Sequence, residues 1–393
     1  MILRLVRLCL FALGFVVMLG AAVHAQPLHQ GNQGTIPAGP IPLTAPELLN
    51  ADMECTTGYY TQTNSAGKEI FTPNDWQVDI VTGAPVIHSA RVFYAKSCDG
   101  SAHVERISGI DSIVIRSEDM ETPPEPGKPF DVAFYQQVTT TAGAAYSLSG
   151  WMLSLCGGSA VPTDCPDGYY ISKMLGIDPT GGTDPNGDTV VWTENRHNFI
   201  ENGKKVGWQQ MTVSAVAEAI TMTVFARVQS PFRWHGNHAF VDALSLVRAP
   251  IAELSVPAIV TGTVAALQWD GVQSPDIEAI PGGSYRLLFD IQYRHGSTAP
   301  WNDFLIDYEV AGSESLDVGC SDTTYEFRIR VRSEQPPPPE PGAWPNHRYA
   351  GVWSLPISTQ FVVASAAPSE PVELSGPYLI FLPHIFTTPA TCK

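Results

Sequence analysis

The 393-residue sequence lacks the short motifs that mark the common catalytic sites. It contains no H-E-x-x-H, G-x-S-x-G, P-loop or G-x-G-x-x-G pattern, and each of these positions a metal, a nucleophile or a phosphate. Glycoside hydrolysis needs two facing carboxylates, and no pair stands out among the 39 acidic residues. The sequence therefore predicts a protein that is not an enzyme. An unrecognised hydrolase stays open as an alternative, which paired carboxylates in a cleft would favour.

Basic residues are scarce in this chain. It has 22 Lys and Arg against 39 Asp and Glu, which gives a net charge of −17 at pH 7. Nucleic acids and anionic membranes attract basic surfaces. We therefore expect neither of them as a partner.

Long apolar runs are confined to the start of the chain. Arg4 and Arg7 flank an apolar stretch over residues 8–23, and a small-residue cleavage site ends at Ala25. This pattern is typical of a secretory signal peptide, and the stretch is too short for a comfortable membrane span. We expect a signal peptide over residues 1–25 and a protein that is secreted or held at the cell surface, with no transmembrane segment once the signal is removed.

No C-x-x-C motif is present, which disfavours redox chemistry and thiolate metal sites. Six cysteines follow the signal peptide, an even number that predicts disulfides in an exported protein. They are Cys55, Cys98, Cys156, Cys165, Cys320 and Cys392. Cys156 and Cys165 flank a short loop whose closure costs little entropy, so we expect these two to be bonded. Cys55–Cys98 is the second expected pair, and 15 pairings are formally open.

A sustained helical apolar stripe is also missing. Apolar residues instead alternate with polar ones in several short runs, which is typical of β-strands. The clearest runs cover residues 134–138, 146–155, 211–216, 220–225 and 240–247. Many short strands separated by turn residues predict an all-β, two-sheet sandwich.

Residues 173–193 form the most distinctive stretch of this block. A strand-like run breaks at Asp178-Pro179 and resumes at Thr189, and the Gly and Pro residues between them favour a long β-hairpin loop. The same loop contains Asp184, Asn186 and Asp188 in the D-x-N-x-D spacing of calcium loops. Positions that an EF-hand reserves for Gly and Glu carry Thr and Asn, so the hairpin loop is the favoured interpretation.

Residues 48–249 resemble the jelly-roll modules of the galactose-binding-like superfamily, which many carbohydrate-binding modules use. The resemblance rests on the opening segment 49–54 (LNADME), on the pair of central strands across 137–151, on the closing strand 241–246 (VDALSL), and on the loop 176–185 followed by Val-Val-Trp192. It implies a jelly-roll β-sandwich that binds a polysaccharide or a surface glycan.

The resemblance also implies a structural calcium ion. In that superfamily the opening Glu and the closing Asp commonly bind calcium together with backbone carbonyls, and the matching residues here are Glu54 and Asp242. Asp52 and Met53 stand where the superfamily has Gly and Phe. Two surface carboxylates without an ion are the alternative interpretation of this pair.

Sugar binding needs aromatic rings that stack on pyranose rings and polar groups that bind hydroxyls. The candidate rings are Trp76, Trp192, Trp208 and Trp234. The candidate polar partners are Arg116, Gln137, Asn195 and Arg196. Each Trp could instead pack in a sheet or anchor a loop, and Trp151, inside a strand run, is expected in the core.

The segment WHGNH places His235 and His238 in an H-x-x-H spacing near Asp242. These three residues could ligate a transition metal. Closed metal sites usually need further ligands and supporting hydrogen bonds. Histidines that bond solvent or a ligand are the favoured interpretation.

Residues 251–364 resemble a fibronectin type III domain. The segment 267–270 with Trp269 looks like its second strand, 289–294 its third and 324–332 its sixth, with Tyr325 at the customary tyrosine position. Alternating apolar and charged residues in 324–332 independently predict a half-buried strand.

The expected organisation is therefore a linker over residues 26–47, a jelly roll over 48–249, a fibronectin-type sandwich over 251–364, and a linker with a short apolar terminus over 365–393. The function that these features predict is carbohydrate binding by a secreted, non-catalytic protein, with the second sandwich as a spacer. A structural or adhesion protein of the cell surface that binds no sugar is the alternative.

Overall fold

A computed structural model describes residues 46–89, 106–117, 128–156, 163–232, 237–280, 283–336 and 347–363. The expected all-β fold is confirmed. Within those ranges the chain forms 23 strands, one 3-10 turn at Cys55–Thr57 and one four-residue helix, α1 (Pro275–Glu278). The predicted signal peptide, most of the first linker and the C-terminal segment lie outside the described residues.

The first fourteen strands belong to residues 46–250. They are β1 (Tyr59–Thr63), β2 (Glu69–Pro73), β3 (Gln77–Thr82), β4 (Val86–Ser89), β5 (Ile113–Arg116), β6 (Phe130–Thr139), β7 (Ala145–Leu155), β8 (Ser172–Asp178), β9 (Val191–Asn195), β10 (Ile200–Glu201), β11 (Lys204–Lys205), β12 (Gln209–Val216), β13 (Thr221–Ser230) and β14 (His238–Arg248). All five runs expected from period-two alternation fall on strands, namely β6, β7, β12, β13 and β14, and only Ile220 lies one residue before its strand.

Two five-stranded antiparallel sheets form the first sandwich. Their strand orders are β12-β7-β14-β5-β4, here called sheet A, and β3-β6-β13-β8-β9, called sheet B. The inner faces share one core, because every second side chain of a strand points to the same side. In β13 those buried residues are Met222, Val224, Ala226 and Val228. Two further hairpins, β1-β2 and β10-β11, lie outside these sheets.

A lysine bridges the two sheets inside this core. Lys173 in β8 of sheet B is fully buried, and its Nζ donates to the Oγ of Ser154 in β7 of sheet A at 2.9 Å. The same Nζ also donates to the backbone carbonyl of His197. Ser154 Oγ in turn donates to Asn198 Oδ1 at 2.8 Å. Burial lowers the pKa of Lys173 to about 7, since a low-dielectric interior disfavours the charged form.

Residues 251–363 build the second sandwich. Its strands are β15 (Ile251–Ser255), β16 (Ile259–Thr261), β17 (Val264–Val272), β18 (Arg286–His295), β19 (Asn302–Tyr308), β20 (Gly312–Asp317), β21 (Thr323–Glu334), β22 (Arg348–Ala350) and β23 (Ile357–Val362). They form the sheets β15-β17-β20 and β16-β23-β21-β18-β19, and β22 pairs with β21. Trp269, Phe289 and Phe327 are buried in a second core, and Tyr325 donates its hydroxyl to the carbonyl of Val318 at 3.2 Å.

The second sandwich packs against the outer face of sheet A. The backbone N–H of Ala350 in β22 donates to Ser147 Oγ in β7 at 3.0 Å. Beside this contact, Arg248 forms a salt bridge with Asp276 of α1. A small apolar cluster of Val247, Ile277 and Tyr349 completes the junction. Independent folding of the two sandwiches stays a prediction.

The expected disulfide between Cys156 and Cys165 is present, with the two Cα atoms 5.2 Å apart. Cys55 and Cys320 each take part in a disulfide as well. Cys98 and Cys392 lie outside the described residues, so the Cys55–Cys98 pair stays a prediction.

We predict that Lys173 makes stability depend on pH. Its pKa falls from 10.5 to about 7 on folding, so between these values the unfolded chain binds a proton that the folded chain does not. The free energy of unfolding should therefore rise with pH from about 7 to 9, by at most about 1.4 kcal/mol per unit. Denaturant titrations should show this slope in the wild type and a flatter one in Lys173→Met. Equal slopes in the two proteins would contradict the assignment.

Candidate functional site

The outer face of sheet B carries a row of directly paired residues, one on each strand. In the order β3, β6, β13, β8, β9 they are Gln77, Tyr135, Phe225, Gly176 and Trp192. Directly opposite residues in paired strands point to the same side. Three aromatic rings are therefore aligned across the sheet.

The rings in this aromatic row contact one another. The Phe225 centroid lies 6.0 Å from that of Tyr135 and 5.6 Å from that of Trp192. Gly176 makes the arrangement possible, because a Cβ there would come within 2.5 Å of the Trp192 ring. Phe225 is buried beneath its neighbours, whereas Tyr135 and Trp192 are partly exposed.

Polar groups surround the aromatic row. Arg227, also on the outer face of β13, forms a two-bond salt bridge with Asp131 at 2.7 and 2.8 Å. Its guanidinium lies 5.8 Å from the centre of the Trp192 ring. Gln77 and Gln137 are exposed on the same face. Asp131 thus neutralises Arg227, and the described residues of this face offer rings and amides beside that ion pair.

The loop between β8 and β9 crosses part of this face. Gln137 Nε2 donates to the carbonyl of Gly181 at 2.8 Å, and Arg227 donates to the carbonyl of Pro185 at 2.9 Å. Asn186 Oδ1 accepts a further bond from Arg227 at 3.0 Å. The loop is thus a β-hairpin connection fastened to the sheet.

The calcium-loop alternative for this segment has little support in these contacts. Asp184 Oδ1 accepts the backbone N–H of Asn186 at 2.8 Å, a turn contact typical of Asp. Asp178 is buried, which opposes its ionisation, but hydrogen bonds from Thr180 and Thr189 outweigh burial and lower its pKa. These oxygens serve the loop's own backbone and side chains.

Two of the predicted sugar-binding residues, Gln137 and Trp192, lie together on this face. Trp76 is fully buried in the core and donates its indole N–H to the carbonyl of Asn50. Trp208 is buried against the outer face of sheet A, with its ring 6.3 Å from Phe240. Because neither ring is accessible, we do not retain these two as stacking platforms.

Arg116 is buried in β5 of the other sheet, so it does not join Gln137 and Trp192. Trp234 lies outside the described residues. Trp151 is buried, as expected. Tyr135 and Phe225 complete the aromatic row although sequence reasoning did not select them.

The two predicted calcium ligands lie near one loop. Glu54 Oε1 accepts the backbone N–H of Ile110 at 2.7 Å. Asp242, fully buried, accepts the N–H groups of Ile107 and Ser108 at 2.5 and 3.1 Å. Burial raises the pKa of Asp242 to about 7, although these bonds favour its ionised form.

This donor set fits a hard cation in one respect. Glu54 Oε2 is buried and has no hydrogen-bond partner among the described residues, and carboxylate oxygens are preferred calcium ligands. Within the described ranges, no group of three His, Cys, Asp or Glu side chains is arranged to hold a metal. Backbone carbonyls would have to complete the coordination.

His238 is buried, and its ring stacks at 6.5 Å on Phe240. His235, its partner in the H-x-x-H spacing, lies outside the described residues. A transition-metal site therefore stays without structural support. In the part of the chain that is described, no helix is long and apolar enough to cross a membrane.

No protein-family description and no curated protein matches this sequence significantly. Among solved structures, the module TmCBM61 in complex with β-1,4-galactotriose is similar to it, with 14% identity, a TM-score of 0.31, and coverage of 52% of this chain and 99% of that one. A β-1,2-glucanase from Parabacteroides distasonis has 9% identity, a TM-score of 0.24, and coverage of 74% and 37%. The adhesin domain of Epf from Streptococcus pyogenes has 12% identity, a TM-score of 0.22, and coverage of 66% and 79%. Similarities this low assign neither a family nor an activity to this chain.

We predict that Gly176→Ala disturbs the aromatic row. The added methyl would overlap the Trp192 ring, and overpacking of this kind costs roughly 1–3 kcal/mol. Thermal unfolding should occur at lower temperature, and the near-ultraviolet circular dichroism of the aromatic residues should change. Gly312→Ala is the matched control, since a Cβ at this strand glycine meets nothing within 4 Å. Equal melting temperatures for Gly176→Ala and the wild type would contradict the described packing.

Proposed function

We propose that the first sandwich binds a neutral saccharide on the outer face of sheet B. The observation that carries this proposal is the aromatic row Tyr135–Phe225–Trp192, whose outer rings are partly exposed beside Gln77 and Gln137. Aromatic rings provide the apolar surface that sugar C–H groups pack against, and amides bond their hydroxyls.

The surroundings of the row support a neutral ligand rather than an acidic one. Arg227 is paired with Asp131, and Glu194 on the same face is paired with Arg196. Since both described cations already have acidic partners, an acidic sugar would have to compete with those carboxylates. The outer face of sheet A is the weaker candidate, since the second sandwich occupies part of it.

The wider proposal is a secreted, non-catalytic binding protein. The signal-like N-terminus and the Cys156–Cys165 bond support export. A fibronectin type III identity for the second sandwich is supported by buried Trp269 and by the hydrogen bond of Tyr325 to Val318. Its contacts with sheet A favour a spacer held in a fixed orientation.

The alternative is a structural or adhesion protein of the cell surface without sugar binding. It is favoured by one observation, the loop between β8 and β9 that already occupies part of the sheet B face. In that case the rings of Tyr135 and Trp192 would only pack beneath the loop between β8 and β9. The two candidates differ in whether a saccharide binds at the row.

A structural calcium ion is part of the proposal. Glu54 and Asp242 would hold it together with backbone carbonyls, and the ion would fasten the opening segment to the closing strand. Its role would be stability rather than chemistry at the sugar site.

We predict that neutral saccharides bind and that Trp192→Ala and Tyr135→Ala weaken the binding at least roughly tenfold, because stacking surface is lost. The measurement is affinity electrophoresis against neutral β-linked galactans, glucans and xylans, followed by calorimetry on the ligand found. Trp301→Ala, in the second sandwich, is the control and should bind as the wild type does. Saccharide binding that survives both sheet B substitutions would overturn the assignment, and no binding to any neutral glycan would favour the alternative.

We predict that calcium stabilises the folded protein. An ion that binds only the folded state adds about 2.7 kcal/mol at a hundred times its dissociation constant. EDTA should lower the melting temperature of the wild type, and calcium should restore it. Asp242→Asn, which keeps the shape but removes the charge, should lose both responses. A wild-type melting curve that EDTA leaves unchanged would refute the ion.

A further inference from the structure

A stack of alternating arginine and tryptophan side chains lies on the outer face of β18 and β21 in the second sandwich. Trp301 has the guanidinium of Arg294 at 4.4 Å and that of Arg328 at 4.2 Å from its ring centre. Trp353 has Arg328 at 4.3 Å and Arg330 at 4.6 Å. The Arg328 guanidinium is thus in contact with two indole rings. We call these five residues the Arg–Trp stack.

Each outer arginine of the stack forms an ion pair with an acid on the same sheet. Arg294 pairs with Glu326 at 2.5 Å, and Arg330 pairs with Asp290 at 2.8 Å. Asp290 is shared with Arg332, which pairs with it at 3.0 Å. The central arginine is different.

Arg328 has no carboxylate partner in the part of the chain that the structure describes. Its Nε and Nη2 both donate to the neutral Oε1 of Gln292, at 2.9 and 2.6 Å. Burial, and then the charges of Arg294 and Arg330, lower the pKa of Arg328. An arginine nevertheless stays protonated in proteins, so this half-buried cation is repelled by its two arginine neighbours and forms no salt bridge within the described residues.

The Arg328 guanidinium is preorganised for binding an anion. The two rings and Gln292 already hold the guanidinium plane, so little side-chain entropy remains to be lost on binding. Among the described residues Nη1 of Arg328 has no hydrogen-bond partner, which leaves N–H donors for an incoming oxygen. An anion at this point would also relieve the repulsion from Arg294 and Arg330.

The surrounding acids limit what kind of anion fits. Asp290 and Glu326 lie on the same face, and Asp303 accepts a hydrogen bond from Gln292 Nε2 at 2.8 Å. A densely charged polyanion such as a nucleic acid would meet these carboxylates. A partner that carries a single acidic group and many hydroxyls would meet less repulsion, because Arg328 binds its one charge and the Gln292 amide can bond a hydroxyl.

We propose that the Arg–Trp stack binds the carboxylate or sulfate group of an acidic saccharide, with Arg328 bonding the anion and the edges of Trp301 and Trp353 packing against the sugar. This site is separate from the aromatic row on sheet B. It would bind acidic saccharides, whereas the row would bind neutral ones, so either proposal can be tested and rejected without the other.

The test is calorimetry on the intact protein with three probes: an oligogalacturonate, a chondroitin sulfate oligosaccharide and inorganic sulfate. One or both acidic saccharides should bind more tightly than inorganic sulfate, and the better one identifies the anion. Loss of a charged hydrogen bond should make Arg328→Gln bind roughly tenfold to a hundredfold more weakly. Arg328→Lys should also bind more weakly, because an ammonium lacks the planar fork.

Two controls separate recognition from damage to the fold. Asp303→Asn should bind more tightly than the wild type, since it removes a nearby repelling charge. Arg286→Gln, on the same strand but paired with Glu309, should bind unchanged. Trp192→Ala should leave acidic-saccharide binding intact, and added NaCl should weaken it in the wild type.

The proposal is overturned if neither acidic saccharide binds, or if inorganic sulfate binds as tightly as they do. It is also overturned if Asp303→Asn does not tighten binding, or if polyglutamate displaces the saccharide at equal charge concentration. The last result would identify an acidic protein surface as the partner.

Discussion

The fixed register between β6, β13, β8 and β9 is the constraint on which the candidate site depends. It places Tyr135, Phe225 and Trp192 on one line across sheet B, with Gly176 opposite the indole. A slip of one residue in any pair would move a ring from the outer face into the core. The site is therefore a property of strand pairing, and the loop between β8 and β9 is attached to it by Gln137 and Arg227.

In both sandwiches each sheet has one face in the core and one outer face. The outer faces of three of these sheets differ in what they contact and in which side chains they carry. Part of the outer face of sheet A is covered by the second sandwich. Sheet B keeps rings and amides accessible at its aromatic row. The six-stranded sheet of the second sandwich carries arginines that two tryptophans separate. Because the polar character of these surfaces differs, a neutral and an acidic saccharide would select different ones.

Alternation along the strands was enough to predict the fold class and five strands, because a period of two follows directly from strand geometry. Tyr325, Phe327 and Val331 are buried as the alternation in β21 indicates. The short spacing of Cys156 and Cys165 was similarly informative. The fold class, the strands and this disulfide could therefore be predicted from local sequence patterns.

The binding residues were harder to predict, because burial of a single Trp depends on distant strands. Nothing in the sequence around Trp76 shows that its ring enters the core. Trp208 is in a comparable position, covered on the outer face of sheet A. Tyr135 and Phe225 were missed because each looks like an ordinary strand residue until pairing aligns them. One signal was available in β13. Its neighbouring residues Val224 and Phe225 are both apolar although they point to opposite faces, which indicates that the outer face of this strand is covered as well.

Contact between a neutral saccharide and the aromatic row can be observed by 19F NMR of protein labelled with 5-fluorotryptophan. The nine Trp residues report at once, and Trp192→Phe assigns the resonance of interest. On titration with a neutral glycan ligand, the Trp192 resonance should shift while those of buried Trp76 and Trp208 stay unchanged. A saturable shift confined to other tryptophans, with Trp192 unmoved, would show that the saccharide binds elsewhere.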